Sequence, residues 1–247
     1  MTGIPDEQLT FFEEQGYLLA KGLLDPVQDL DPVMREYEGV LDNLAIELYQ
    51  QRVIASTYDD LPFGERLTKI YGKSGRVHAQ YFDFSLPQGS VKKDTPFWAG
   101  SAVFHMLTSP RLLDAVETFI GPEIYSNPVQ HVRIKPPEHL TPVNPDTGRI
   151  QLGITPWHQD NGVVLPDADE TDMLTAWFPL TDATIEQGCL CVIPKSHREG
   201  LMHHCPANWG LEIPQTVYER SNILPVPMQR GDVLFLHKHT CHSSLPN

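Results

Sequence analysis

Nowhere in the 247 residues does an uninterrupted apolar run approach the roughly 20 residues that a membrane-crossing helix requires. Nor does the amino terminus, MTGIPDEQLTFFEEQG, show the basic-then-apolar order of a secretory leader. Basic side chains are scarce: 18 Lys and Arg stand against 32 Asp and Glu, a formal charge of −14, so a polyanionic partner meets net repulsion. These absences argue against nucleic acid and membrane as partners and predict a cytoplasmic protein. Cysteine is also sparse. Cys189, Cys191, Cys205 and Cys241 have no CxxC spacing, which argues against a thiolate zinc site and suits a reducing compartment, with Cys189 and Cys191 packing inward. No internal repeat or low-complexity tract is present, the length fits a single domain over 1–247, and nothing specifies an oligomeric state.

What is present divides near residue 122. IPDEQLTFFEEQGYLLAKGLL predicts a short helix with Leu9, Phe12 and Phe11 on its apolar side, stopped by Gly16 and followed by a strand over YLLA. DPVMREYEGVLDNLAIELYQQRV places Val33, Tyr37, Val40, Leu41, Leu44 and Leu48 at helical spacing, and SPRLLDAVETFIG predicts a helix between Ser109 and Gly121. Residues 1–122 therefore read as a mostly helical support. Beyond them, VQHVRIK, DMLTAWFPL, CLCVI, NILPVPM and DVLFL are short apolar runs separated by turn residues, which predicts an antiparallel sandwich or barrel over 123–247. The turn-rich stretches 136–156 and 198–215 are longer than ordinary connections and are candidate lids or binding loops.

One short segment carries chemistry. In PWHQDNGV, His158 and Asp160 are two apart, so on an extended chain both project to one side and can aim a nitrogen and a carboxylate oxygen at one point. A third ligand must come from elsewhere, and FLHKHTCHSSLPN offers His237, His239 and His242. Two histidines and one carboxylate on one face of a metal describe the facial site of non-haem Fe(II) oxygenases, although zinc accepts the same donors. His203 and His204 read as loop residues lining a pocket, and His197 as a turn residue.

WHQD, followed by DMLTAWFPLTDATIEQGCLCVIPKSHREG and RGDVLFLHKHTCHSSLPN, resembles the phytanoyl-CoA dioxygenase family of iron(II)- and 2-oxoglutarate-dependent oxygenases. LTFFEEQGYLLAKGLL and GPEIYSNPVQHVRIKPP extend the resemblance over nearly the whole chain. It implies a mainly β fold with flanking helices, a double-stranded β-helix of the jelly-roll or cupin type. It further implies His158, Asp160 and His242 as iron ligands, and His131, Trp177 and Ser244 at positions that contact 2-oxoglutarate. The family also carries an arginine on the strand after the distal histidine, where its planar fork binds the far carboxylate of 2-oxoglutarate. The sequence given stops at Asn247, before that strand, so the expectation is a barrel lacking its last strands.

The activity implied is oxidation of a small organic substrate by dioxygen, coupled to conversion of 2-oxoglutarate to succinate and carbon dioxide. Hydroxylation is expected because Asp160 is retained, whereas halogenation requires that ligand's loss. The acidic balance disfavours a coenzyme A thioester, although Lys92, Lys93, Lys195 and Arg198 are available to an anionic group. Two alternatives stand beside this reading: a zinc-dependent hydrolase with the same ligands, and a metal-binding but catalytically silent barrel without the arginine anchor.

Overall fold

The computed structural model describes residues 3–87, 91–127, 130–168, 170–207, 210–218 and 222–247. The chain separates into two compact units built from discontinuous stretches: residues 1–26, 108–125 and 154–246 form the first, and 27–107, 126–153 and 247 the second. Among the described residues no helix is long and apolar enough to cross a membrane.

The first unit begins with α1 (Asp6–Gln15), which ends where Gly16 adopts φ 80° and its amide closes on the Phe12 carbonyl at 2.7 Å. A Cβ at Gly16 would lie 2.4 Å from the His197 ring, so the left-handed turn and the close approach both demand glycine. Strand β1 (Tyr17–Ala20) follows at once, as its apolar alternation predicts. It pairs antiparallel with β7 (Val233–His237), whose other edge takes β2 (Leu174–Trp177), giving the order β1-β7-β2. A second antiparallel sheet has the order β6-β3-β8, from β6 (Leu224–Val226), β3 (Leu190–Val192) and β8 (His242–Ser244). A separate hairpin joins β4 (Cys205–Ala207) to β5 (Gly210–Glu212).

Register explains the core. Tyr17 and Leu19 of β1 and Trp177 of β2 sit opposite Leu236 and Leu234 of β7, so all project to one face. There they meet Leu190, Val192 and Val226 of the second sheet together with Met228, and the two sheets close over this shared apolar layer. On the other face of β7, the Phe235 ring lies 4.8 Å from Phe119 of α5 (Pro110–Ile120), which in turn lies 4.7 Å from Phe12 of α1. Burial on both faces accounts for the unbroken apolar run VLFL. Helix α5 starts after Ser109 and stops at Gly121, as predicted.

The second unit is organised by α2 (Asp31–Gln50), which buries Val33, Tyr37, Val40, Leu41, Leu44, Ala45 and Leu48, the stripe its three- and four-residue spacing specifies. α2 packs on α3 (Phe63–Ser74) and α4 (Ser101–Leu107), neither of which the sequence pattern marked. The start of α4 is capped from a distance. The Glu36 carboxylate accepts the amides of Ala102 at 2.9 Å and Val103 at 3.3 Å, together with the Trp98 indole N–H at 2.9 Å. The strand predicted over VQHVRIK does not form among the described residues: Val129 lies outside them, and 130–135 belong to no helix or strand. Asp83 takes the bonds a ladder would use, accepting the Val132 amide at 3.4 Å and facing His131 Nδ1 at 2.8 Å.

Candidate metal centre

His242 opens β8, opposite Val192 in the second sheet, and its side chain is buried on the inner face. On the free edge of β8 the His158 amide donates to the His242 carbonyl and the His242 amide donates back, both at 3.0 Å. The strand expected through PWHQDNGV is thus reduced to one bridged residue. Gln159 keeps extended geometry, with φ −114° and ψ 139°, and Asp160–Val163 then turns tightly. That short extended stretch suffices to put the side chains of His158 and Asp160 on one side.

Three ligand atoms converge there. The Nε2 atoms of His158 and His242 each lie 3.6 Å from Asp160 Oδ1, and the two rings stand 4.2 Å apart between centroids. Among the described residues, His158, Asp160 and His242 are the group of histidine, cysteine and acidic side chains that could hold a metal ion, with ligand atoms all within 4.8 Å of one another. The backbone fixes which nitrogen faces inward. His158 Nδ1–H donates to the Pro156 carbonyl at 2.8 Å, and His242 Nδ1–H to the Thr240 carbonyl at 3.0 Å, so both Nε2 lone pairs are directed at the common point. Thr175 of β2 shares the inward face with Trp177, and its hydroxyl donates to Asp160 Oδ2, leaving Oδ1 to the site.

The charge states suit a cation. Burial alone would raise the Asp160 carboxyl, but His242, His158 and the Thr175 hydroxyl outweigh it and hold the group well below the usual carboxylate range. Burial, with the facing His158, pushes the His242 imidazole down to about 4 against the opposing pull of Asp160 and the Thr240 carbonyl. Near neutral pH the site therefore presents a carboxylate and a neutral imidazole at His242, the forms a metal requires. Two nitrogen donors and one oxygen donor on one side of a point fit a divalent transition metal with its remaining positions open.

Beside the ligands, Trp157, Ile193, Met202, Ile213, Tyr218 and Cys241 form an apolar cluster, with the Trp157 and Tyr218 rings 5.1 Å apart. Cys189, Cys191 and Cys241 are buried and Cys205 is exposed.

The other sequence candidates fall in several places. Ser244 shares the inward face of β8 with His242, and its hydroxyl accepts the Thr155 amide at 2.8 Å. Trp177 is partly buried against the core between the sheets. His131 belongs to the second unit, where it pairs with Asp83. His237 and His239 stand outside the metal group: the His237 ring lies 5.2 Å from His197, 5.5 Å from His239 and 6.5 Å from Phe12. The sequence reading did not single out Thr175 or Gln159, and it gave His204 only as a loop residue lining a pocket. His204 does lie in a loop, where its Nε2 accepts the Gln159 amide at 3.0 Å and its Nδ1–H donates to the Met202 carbonyl at 2.9 Å. Period-two alternation was the available signal for Gln159, because the residue between two inward ligands must point the other way.

Comparison with known proteins places these features in a wider group. The model of the family described as phytanoyl-CoA dioxygenase matches residues 12–247. Peroxisomal phytanoyl-CoA dioxygenase of Bos taurus is 26% identical over 246 residues, covering 96% of this chain and 63% of that protein. The 1-deoxypentalenic acid 11-beta-hydroxylase of Streptomyces arenae is 31% identical over 122 residues, covering 43% of this chain and 39% of its own. Among solved structures, EvdO2 from Micromonospora carbonacea var. aurantiaca complexed with 2-oxoglutarate superposes with a TM-score of 0.52 at 16% identity, covering 100% of this chain and 86% of that one. The epimerase SnoN in complex with Fe3+, alpha ketoglutarate and nogalamycin RO gives 0.51 at 18% identity, covering 98% and 77%. These likenesses show a shared fold. The chain spans 63% of the length of the bovine and human peroxisomal relatives.

Proposed function

Because the chain belongs to the phytanoyl-CoA dioxygenase family, we propose that it is an Fe(II)- and 2-oxoglutarate-dependent oxygenase of small organic molecules, with His158, Asp160 and His242 as its iron ligands. The observation that carries this reading is the convergence of two Nε2 lone pairs on Asp160 Oδ1, each ring held in the required tautomer by a backbone carbonyl. Iron bound there would supply a Lewis-acidic redox centre at which 2-oxoglutarate and dioxygen react, releasing succinate and carbon dioxide.

The side chains divide the remaining work. Thr175 anchors Asp160 Oδ2, so the carboxylate presents one oxygen to the metal and cannot swing away. Ser244, on the same inward face as His242, accepts the Thr155 amide and is a co-substrate contact in this reading. Trp177 is the further co-substrate contact in this reading. The apolar cluster of Trp157, Met202 and Tyr218 backs the ligand-bearing segments on the face turned away from the metal. The two three-stranded sheets are the opposed walls of a double-stranded β-helix. Retention of Asp160 favours hydroxylation. The net charge of −14 favours a small metabolite over a coenzyme A thioester, and the resemblance to a hydroxylase of 1-deoxypentalenic acid points the same way.

The test is an anaerobic Fe(II) titration of the parent and His158→Ala, followed by succinate and oxygen-uptake assays with 2-oxoglutarate and candidate substrates. Expected are Fe(II) binding by the parent alone and succinate formation that needs oxygen. Substrate turnover without oxygen or 2-oxoglutarate would overturn the reading in favour of a hydrolase; Fe(II) binding without succinate from any substrate would mark a silent barrel.

A further inference from the structure

Gln159 stands between two proposed metal ligands yet points away from them, and its side chain is 0% exposed. A carboxamide buried this completely must find partners for two N–H donors and an oxygen. Gln159 Nε2 donates to the Gly200 carbonyl at 2.8 Å and to the His239 carbonyl at 2.7 Å, and its Oε1 accepts the Met202 amide at 2.7 Å. Its own backbone amide donates to His204 Nε2 at 3.0 Å, and the His204 tautomer is set by the Met202 carbonyl. Four hydrogen bonds therefore tie the His158–Asp160 segment to the strap 200–204 and to the chain at His239, three residues before His242. Gly162 belongs to the same construction: a Cβ there would lie 2.1 Å from the His204 ring.

We propose that Gln159 is a positioning residue that sets the separation between the two ligand-bearing segments, and hence the affinity of the site for its metal. The proposal rests on the reading of His158, Asp160 and His242 as ligands. His239 and His242 lie on one short connection, so anchoring the His239 carbonyl fixes where β8 starts. The same side chain grips the segment that supplies the other two ligands. The backbone bridge between His158 and His242 fixes their pairing, and the carboxamide braces it from the side opposite the metal. Outer groups that orient ligands govern metal affinity although they never touch the ion.

The experiment compares the full chain, Gln159→Met and Val226→Ala by anaerobic Fe(II) titration and thermal unfolding. Gln159→Met fills a similar volume without hydrogen bonds, and Val226→Ala weakens the core between the sheets. Expected is Fe(II) binding about 10- to 100-fold weaker in Gln159→Met, with parental affinity in Val226→Ala. Parental affinity in Gln159→Met overturns the proposal, as does an equal loss in Val226→Ala, which would mean that affinity merely follows stability. Should Gln159→Met not fold, hydrogen exchange of the parent decides. Fe(II) must slow exchange at the Gln159 and Met202 amides more than at β1, because coupling between metal and brace is reciprocal, and unchanged exchange there overturns the proposal. Undiminished Fe(II) binding by His158→Ala would instead bring down the metal centre itself.

Discussion

His158 and His242 face each other as a backbone pair, each amide bonded to the other's carbonyl at 3.0 Å, while their rings meet at 4.2 Å. Pairing through the main chain separates scaffold from chemistry. His158→Ala and His242→Ala are therefore expected to fold and to lose Fe(II) affinity by more than about 100-fold, beyond the loss typical of a supporting residue. Metal titration beside circular dichroism checks both halves. An unfolded His158→Ala would show that the ring, not the bridge, holds the segment.

Thr175 offers a finer probe of the same site. Thr175→Val keeps the β-branched shape but removes the donor to Asp160 Oδ2. Expected are about 10-fold weaker metal binding and a stability loss of about 1 kcal/mol, with Thr175→Ser restoring most of both. Denaturant melts and Fe(II) titration of the pair give the readout.

Proton linkage follows from the depressed imidazoles. His242 is pushed down to about 4 by burial and by His158, and His237 to about 4 by burial and by His197, His239 and Lys238. The unfolded chain binds these protons near pH 6.5 and the folded chain resists them, so stability rises with pH across that interval and falls as the pH drops toward 4. Asp160, also depressed, carries the same sign to lower pH. Urea unfolding of the metal-free protein should lose up to about 1.4 kcal/mol per pH unit from His242 alone below pH 6.5. A slope in His242→Ala as steep as the parent's would contradict the assignment.

Glu36 gathers two helix amides and an indole N–H at the start of α4. Glu36→Ala should destabilise the second unit by about 2 kcal/mol, while Glu36→Gln, which retains one acceptor oxygen, loses less. Trp98 fluorescence during denaturation reports it, since that indole loses its partner.

The parts of this molecule written in local periodicity were legible beforehand. The stripe from Val33 to Leu48, the stop at Gly16, the helix between Ser109 and Gly121 and the HxD pair all depend on residues within a turn or two of one another. The third ligand was not legible from spacing. His237, His239 and His242 are equivalent in sequence until register puts His242 opposite Val192 on an inward face and His237 beside Phe12. Helix α4 escaped notice because its cap is Glu36, more than 60 positions away in the chain. VQHVRIK carries a strand pattern, yet Asp83 takes its polar groups, an outcome fixed by tertiary contact. The brace at Gln159 shows the same limit: four bonds reach partners roughly 40 and 80 residues downstream.

β1 has a consequence for biosynthesis. Its partner β7 pairs Tyr17 with Leu236, some 220 residues later, so β1 leaves the ribosome well before the strand it pairs with has been made. A long-range closure of this kind makes folding slow and chaperone capture of the nascent YLLA segment advantageous. Pulse-labelled refolding should find the Leu18 and Leu19 amides among the last in the first sheet to gain protection.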